Sequence, residues 1–380
     1  MEITAAPSPS PTPVDTGLVI DWRLANGDPG LLSPYSDSSG PAFHSGVVFA
    51  SRFFVAGTHA DFDFNLMPGI WSSGNGRTWA LADIPDLRTV SDLVAGPGGL
   101  LAVGDPADEN TPLWLTTNGA DWERVVDTDF EGQRISKVGA TDEGYVAVGT
   151  HMWFSTDGVE WHAAGSGPEI IPTEIVKHGE RFVTLTGGAQ SGGPLKVWTS
   201  IDLMEWFEEA PLPHSRNAAH VVLAEGPLGL IAAAHGDEDE PLQTFMWVSA
   251  DGLSWTEASP GVGPVSDVFV DDIGFIAVGF LQTGTGCAIF EGDIQGFTWT
   301  SLDGLTWARM PLDGFVGARV DQLFRDGRTL FGVGARYDEE VSDMAFGAVW
   351  TARLPQLQPA GPAPTAAPTP TPEPGGCGPG

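Results

Sequence analysis

Residues 247–255 read Trp247-Val-Ser-Ala-Asp-Gly-Leu-Ser-Trp255. Two indoles eight positions apart enclose a Ser two residues in and an Asp-Gly pair four residues in. Asp-Gly between short apolar runs is a hairpin signal. Glycine supplies the positive φ of a tight turn, and the Asp side chain accepts hydrogen bonds from the turn's own backbone. Reading Ala250-Asp251-Gly252 as a three-residue loop puts Ser249 opposite Leu253 and Trp247 opposite Trp255. Such an aromatic cross-strand pair stabilises a sheet by roughly 0.2–1 kcal/mol.

The box recurs. Trp71/Trp79, Trp114/Trp122, Trp153/Trp161, Trp198/Trp206 and Trp299/Trp307 have the same spacing, and enclose Ser73/Asn75, Thr116/Asn118, Ser155/Asp157, Ser200/Asp202 and Ser301/Asp303. Successive pairs start 43, 39, 45, 49 and 52 residues apart, and Trp350 follows 51 later. Five boxes carry Gly after the Asp or Asn; the fourth carries Leu203. A distorted turn is expected there, with Leu203→Gly raising the melting temperature. An apolar run precedes each box, ending in Ala-Val-Gly or a variant of it, as in residues 100–104, 145–149, 275–279 and 330–334. A shorter strand lies upstream of each run. Four strands per unit at a period of 40–50 residues is the signature of propeller blades.

Seven such units are present, but only six boxes are complete. Trp350 supplies a third strand and the chain then leaves the pattern. The missing outer strand is expected from residues 18–22, Leu-Val-Ile-Asp-Trp, with Trp22 meeting Trp350. Closing the ring in this way removes an exposed sheet edge. The expected fold is therefore all-β, a seven-bladed propeller of four-stranded blades over residues 17–355. Residues 1–16 and 356–380 are rich in Pro, Ala and Thr and read as solvated tethers.

The box resembles the Asp-box, or bacterial neuraminidase repeat, of sialidases, sortilin-type receptors and photosystem assembly factors. It is one residue shorter than the usual form. The resemblance implies the propeller fold across residues 17–355, and it implies a turn-forming role for each box Asp. It does not choose between enzyme and binder.

Charge narrows the function. Fifty acidic residues against seventeen basic ones give a formal charge of −33, which argues against nucleic acid or anionic lipid as a partner. No apolar run is long enough to span a membrane. The tethers suggest a bacterial exported or cell-surface protein, with no leader sequence at Met1. The two cysteines, Cys287 and Cys377, form no disulfide framework, and their pairing stays open. A monomer is expected.

In this fold the box turns lie on one face and the b–c and d–a connections on the other. The b–c connections range from three residues (150–152) to nineteen (280–298), as a scaffold with a diversified binding face requires. Counting back from the end of each second strand aligns Ser45, Asp92, Lys137, Glu174, His220, Asp267 and Asp321 on the channel-lining strands. Arg88, Arg134, Arg216 and Arg319 lie nearby. Such a ring suits a polar ligand, a glycan or a protein partner, although polar residues lining a water-filled channel need no ligand. No cofactor is expected. Calcium is the alternative, without a D-x-[DN]-x-[DN]-G loop to hold it, and no zinc spacing occurs. The sialidase likeness implies a second reading, a glycoside hydrolase with Tyr337 as nucleophile, Glu174 as its base and Asp92 as acid. No Arg-Ile-Pro signature accompanies it. A non-enzymatic binding module is the preferred expectation.

Overall fold

The computed structural model describes residues 18–25, 42–60, 66–84, 86–104, 111–126, 135–149, 151–164, 174–188, 192–216, 218–236, 244–258, 264–282, 294–310, 317–337 and 345–355. Among them are twenty-eight strands and no helix. The strands form seven four-stranded antiparallel sheets in a seven-bladed β-propeller. Blades one to six span residues 42–81, 92–124, 135–163, 175–208, 218–258 and 265–310 in sequence order. The seventh combines residues 318–353 with strand β1 (Trp22–Leu24), which pairs with β28 (Ala345–Arg353). Seven buried apolar clusters occupy the seven joints between blades. One of them joins Phe43, Val55 and Trp71 of blade one to Phe331, Val333 and Val349 of blade seven. An open stack of seven blades would have six joints, so the ring is closed.

Six of the seven joints are built on a buried indole of the third strand, and the joint of blades three and four has the half-buried Trp198 in that place. Trp71, Trp114, Trp153, Trp247, Trp299 and Trp350 are buried. Each lies opposite a smaller residue of the second strand: Val55, Ala102, Ala147, Ala232, Ala277 and Gly332. The Ala of the Ala-Val-Gly runs thus leaves room for a large ring beside it.

The box turn differs from the expected hairpin. Trp247 pairs with Glu257 and Val248 with Thr256, so the two box indoles are not cross-strand partners. Trp114 likewise faces Arg124, and Trp299 faces Arg309. The loop is wider because the Ser and Asp side chains fill it. In box six, Ser301 Oγ accepts from Gly304 N (2.8 Å) and donates to Asp303 Oδ1 (3.1 Å). Asp303 Oδ1 accepts from Leu305 N (2.9 Å) and Thr306 N (2.7 Å). The other five boxes repeat this set, two of them with an Asn oxygen in place of the carboxylate. These backbone donors hold Asp157, Asp202, Asp251 and Asp303 below the ordinary carboxylate range. The second indole closes the turn instead of pairing across it: Trp161, Trp206, Trp255 and Trp307 donate Nε1–H to the carbonyl three residues back.

Leu203 corrects a second expectation. It adopts φ 63°, in the range of Gly158 (78°) and Gly304 (72°), and makes the same turn hydrogen bonds. Its turn is not distorted. The side chain is buried with Val146 and Val148 of blade three, where the other boxes present only a glycine to the preceding blade. Trp22 is also displaced from its expected register. It pairs with Ala352, while Leu24 pairs with Trp350. Both indoles still share one cluster, and Trp22 Nε1 donates to Thr298 Oγ1 of blade six (3.1 Å).

Left-handed φ costs a non-glycine residue roughly 1–2 kcal/mol, whereas emptying a buried leucine site costs about 2–5 kcal/mol. Burial wins. Leu203→Gly is therefore expected to lower stability by about 1–3 kcal/mol in denaturant titrations, and an unchanged or raised midpoint contradicts this balance.

Candidate functional site

The innermost strand of each blade is a sheet edge. Its N–H groups on the channel side have no ladder partner and need another acceptor. The residue preceding the Gly of the Ala-Val-Gly run marks the channel position, since it pairs with Ser45, Asp92, Lys137 and Asp267 in blades one, two, three and six. Glu174 sits one residue before the first ladder pair of blade four, Ile175↔Thr184. In blades five and seven the equivalent residues are Val222 and Gln322, not His220 and Asp321. Twelve residues separate Ser45, Asp92, Lys137 and Asp267 from the last residue of their runs, and the same count reaches Val222 and Gln322; longer counts in blades five and seven end on the β-bulge instead. The bulge residues are His44, Ser136, the pair His220–Val221, Ser266 and Asp321. A bulge adds a residue to one strand and re-aims its side chain.

The channel positions clasp neighbouring blades. Leu93 N donates to Ser45 Oγ (3.0 Å), Leu223 N to Glu174 Oε2 (3.2 Å), Leu323 N to Asp267 Oδ2 (2.6 Å) and Gly46 N to Gln322 Oε1 (2.6 Å). In each case the donor follows the channel residue of the next blade around the ring. Lys137 and Val222 have no acceptor to offer. Val268, which follows the blade of Val222, turns its N–H to its own residue's neighbour, Asp267 Oδ1 (2.8 Å). Much of the ring's polarity thus serves the backbone. Gln322 was missed by sequence reading, although its pairing with Val333, just before Gly334, was a usable signal.

Electrostatically the ring centres on Lys137. Its ammonium lies 2.9 Å from Glu174 Oε1 and 3.8 Å from Asp92 Oδ2, and Asp92 also accepts from Ser45 Oγ (2.8 Å). Glu174 holds the lysine well above its ordinary value, against the opposing effect of burial. Asp267 is pushed up to about 7 by burial and then by the charge of Glu174. Asp321 rises to about 6 through burial, with Arg319 opposing. Arg319 Nε pairs with both of its oxygens, at 2.9 and 3.1 Å.

The bulges build a second feature at the variable-loop mouth. His220, Val221, Ser266 and Asp321, bulge residues of blades five, six and seven, line a cavity of about 470 Å³ with His235, Phe280 and Val265. The imidazoles of His220 and His235 stack with centroids 4.4 Å apart. Of the expected site residues, Asp92, Lys137 and Glu174 are joined by ion pairs, and His220 and Asp321 share the cavity. Arg88 and Arg216 are exposed. Arg134, Tyr35, Cys287, Cys377 and the Tyr337 side chain lie outside the described residues. No group of three or more metal-ligating side chains occurs among the described residues.

No family model matches the sequence, and none of the curated proteins does. Solved structures share the fold. YCF48 bound to D1 peptide is 12% identical, with 84% of this chain and 95% of that one covered and a TM-score of 0.52. The β-propeller domain of the trilobed protease from Pyrococcus furiosus, described as having an open velcro topology, is 9% identical over 83% and 94%, with a TM-score of 0.53. The phage phi92 endosialidase is 12% identical over 93% and 72%, with a TM-score of 0.49. At these identities the likeness is one of fold.

Two outcomes follow from the ring. The folded value of Asp267 lies above the ordinary 3.8, so the folded chain keeps a proton there that the unfolded chain releases between about pH 4 and 7. The group's contribution to stability is full below that window and is lost as pH rises through it; Asp321 acts in the same sense. Denaturant midpoints should fall from pH 5 to pH 8, and Asp267→Asn should flatten the slope; an equally steep variant would count against the assignment. Lys137→Met removes the cation that Glu174, Asp92 and Asp267 face, and should cost about 2–4 kcal/mol, the pair being only partly buried. The loss should be larger at pH 8, where Asp267 is ionised and faces the lysine, than at pH 5, where it holds its proton.

Proposed function

We propose that the protein is a non-enzymatic binding module that takes its partner, a glycan or a protein, at the variable-loop mouth of the channel. The observation carrying this reading is the mouth cavity, where side chains from three blades, freed from the ladder by bulges, converge on one space. Fixed turns on the opposite face and unequal b–c connections here fit a scaffold diversified on one side. The longest of those connections, residues 283–293, lies outside the described residues.

The carboxylates that a hydrolase would need are already engaged. Both oxygens of Glu174 are bonded, one to Lys137 and the other to Leu223 N, and Asp92 holds Ser45. A general base or acid must be able to reach substrate. Tyr145, buried in a strand, donates to the Gly99 carbonyl (2.7 Å) and is spoken for as well. The structure of YCF48 bound to D1 peptide provides a precedent for peptide capture by this fold. The Asp-box likeness supports the scaffold role of the box turns. Export to the cell surface, with the Pro/Thr-rich ends as tethers, completes the proposal, as does the charge of −33, which favours cationic partners and limits self-association.

A glycan and peptide array, run beside a fluorogenic sialoside assay, tests this. Binding without turnover, weakened by His220→Ala or Phe280→Ala, is the expected result. Turnover of the sialoside that disappears in Tyr337→Phe would overturn it in favour of a sialidase-like hydrolase.

A further inference from the structure

The mouth cavity has a definite chemical character. Phe280 forms one wall, the stacked His220 and His235 rings another, and valine and proline side chains much of the rest. Asp321 is the carboxylate among the residues lining it. His235 Nδ1 lies 2.8 Å from the Gly236 carbonyl. It therefore donates there, and its Nε2 is left with a lone pair, an acceptor and not a charge. Burial and the neighbouring His220 both disfavour a proton on His235. Aromatic faces around a desolvated carboxylate are suited to an organic cation, which gains from the ring quadrupole and from the counter-ion together.

The chain already shows one cation in this setting. The Arg319 guanidinium pairs with both oxygens of Asp321 and lies 5.8 Å from the centroid of Phe280. It comes from the same strand, two residues away, so its approach is along that strand. His220 adds a second sign. It holds φ 47° without being a glycine, inside the bulge that carries two residues where the other described bulges carry one. Strain of this kind persists where the surroundings enforce it, and it clusters at ligand clamps. Here it sets one imidazole over the other at the cavity wall.

We propose that the mouth cavity is a receptor for the protonated amine or guanidinium of a lysine- or arginine-bearing peptide, with Asp321 as counter-ion and Phe280 as the ring it lies against, and that Arg319 competes for the same carboxylate. The proposal rests on the reading of the mouth as a binding site and names the chemistry of its partner. The charge of −33 raises the local concentration of such ligands, and the attraction weakens with salt.

The effects of Arg319 and Asp321 differ in sign, which makes the test decisive. The full chain is titrated calorimetrically at low salt with blocked Gly-Arg-Gly and Gly-Lys-Gly, with their Gln and Glu counterparts, and with spermidine. The cationic peptides are expected to bind. Asp321→Asn should weaken them by about tenfold or more, whereas Arg319→Gln should strengthen them by about threefold, since a competitor for the carboxylate is gone. Glu160→Gln, an equal charge change at an exposed position on the box-turn face, should leave them unchanged. Phe280→Leu provides a second loss of affinity should Asp321→Asn fold poorly. Preference for the Glu peptide, abolished by Arg319→Gln, overturns the cation assignment while leaving the mouth a binding site. Binding of spermidine without either cationic peptide overturns the peptide as its source. Equal weakening by Glu160→Gln and Asp321→Asn shows attraction by net charge alone and overturns the receptor. Absence of binding by any peptide, glycan or amine removes both readings.

Discussion

Six of the seven blades bury an indole on the third strand and blade four half-buries Trp198, which no single four-stranded sheet can do alone. Trp114, for instance, is covered only because Ala102 is small beside it and blade one packs against blade two. The same demand repeats around the molecule, and each joint satisfies the one before it. A chain with this requirement at both ends has to close, because an open stack would leave a terminal indole in water. The gain from burying a large apolar side chain, roughly 1.5–3 kcal/mol, applies at each joint. It explains why the leading segment returns to β28, with Leu18, Ile20 and Trp22 set into the joint between blades six and seven.

Closure creates a second requirement at the centre. Seven inner strands present their edges to a common channel, where no further strand can pair with them. In four blades side chains at the channel position meet the need by reaching to the next blade's backbone. Their polarity is therefore a consequence of the fold before it is a sign of function. Lys137 shows what happens where a cation takes the place of an acceptor: it draws Glu174 and Asp92 into ion pairs, and the carboxylates are fixed twice over.

The blade count, the four-strand unit and the identity of the closing strand were legible because they depend on repeated large residues at regular spacing. Geometry finer than one residue was not. The pairing of Trp247 with Trp255 failed because the Ser249 and Asp251 side chains take up room inside the turn, which a count of loop residues does not register. The Leu203 turn looked irregular on propensity alone, and only the neighbouring blade shows that its side chain is needed. His220 and Asp321 were aligned with the channel row because composition alone does not fix the count: Val222 and Gln322, twelve residues before Ala234 and Gly334, hold the equivalent places. His220 and Asp321 both line the cavity at the mouth. His235 and Phe280 were missed because they belong to second strands, which carry no repeated polar signal.

Those misalignments have a use. Residues obeying the repeat (Ser45, Glu174, Asp267 and Gln322) are committed to holding blades together, and changing them tests stability before it tests binding. Departures from the repeat carry no such duty. Val222 is apolar where its counterparts are polar, the bulge of blade five is enlarged, and the bulge residue Asp321 is a carboxylate with Arg319 as its partner. All three departures border one cavity, in blades five to seven. A repeat protein can diversify only where its repeat is not enforced by packing or by edge hydrogen bonds. The mouth of this channel meets that condition, and the polar ring beneath it does not. Function is therefore to be sought in the bulged residues rather than in the row that first drew notice.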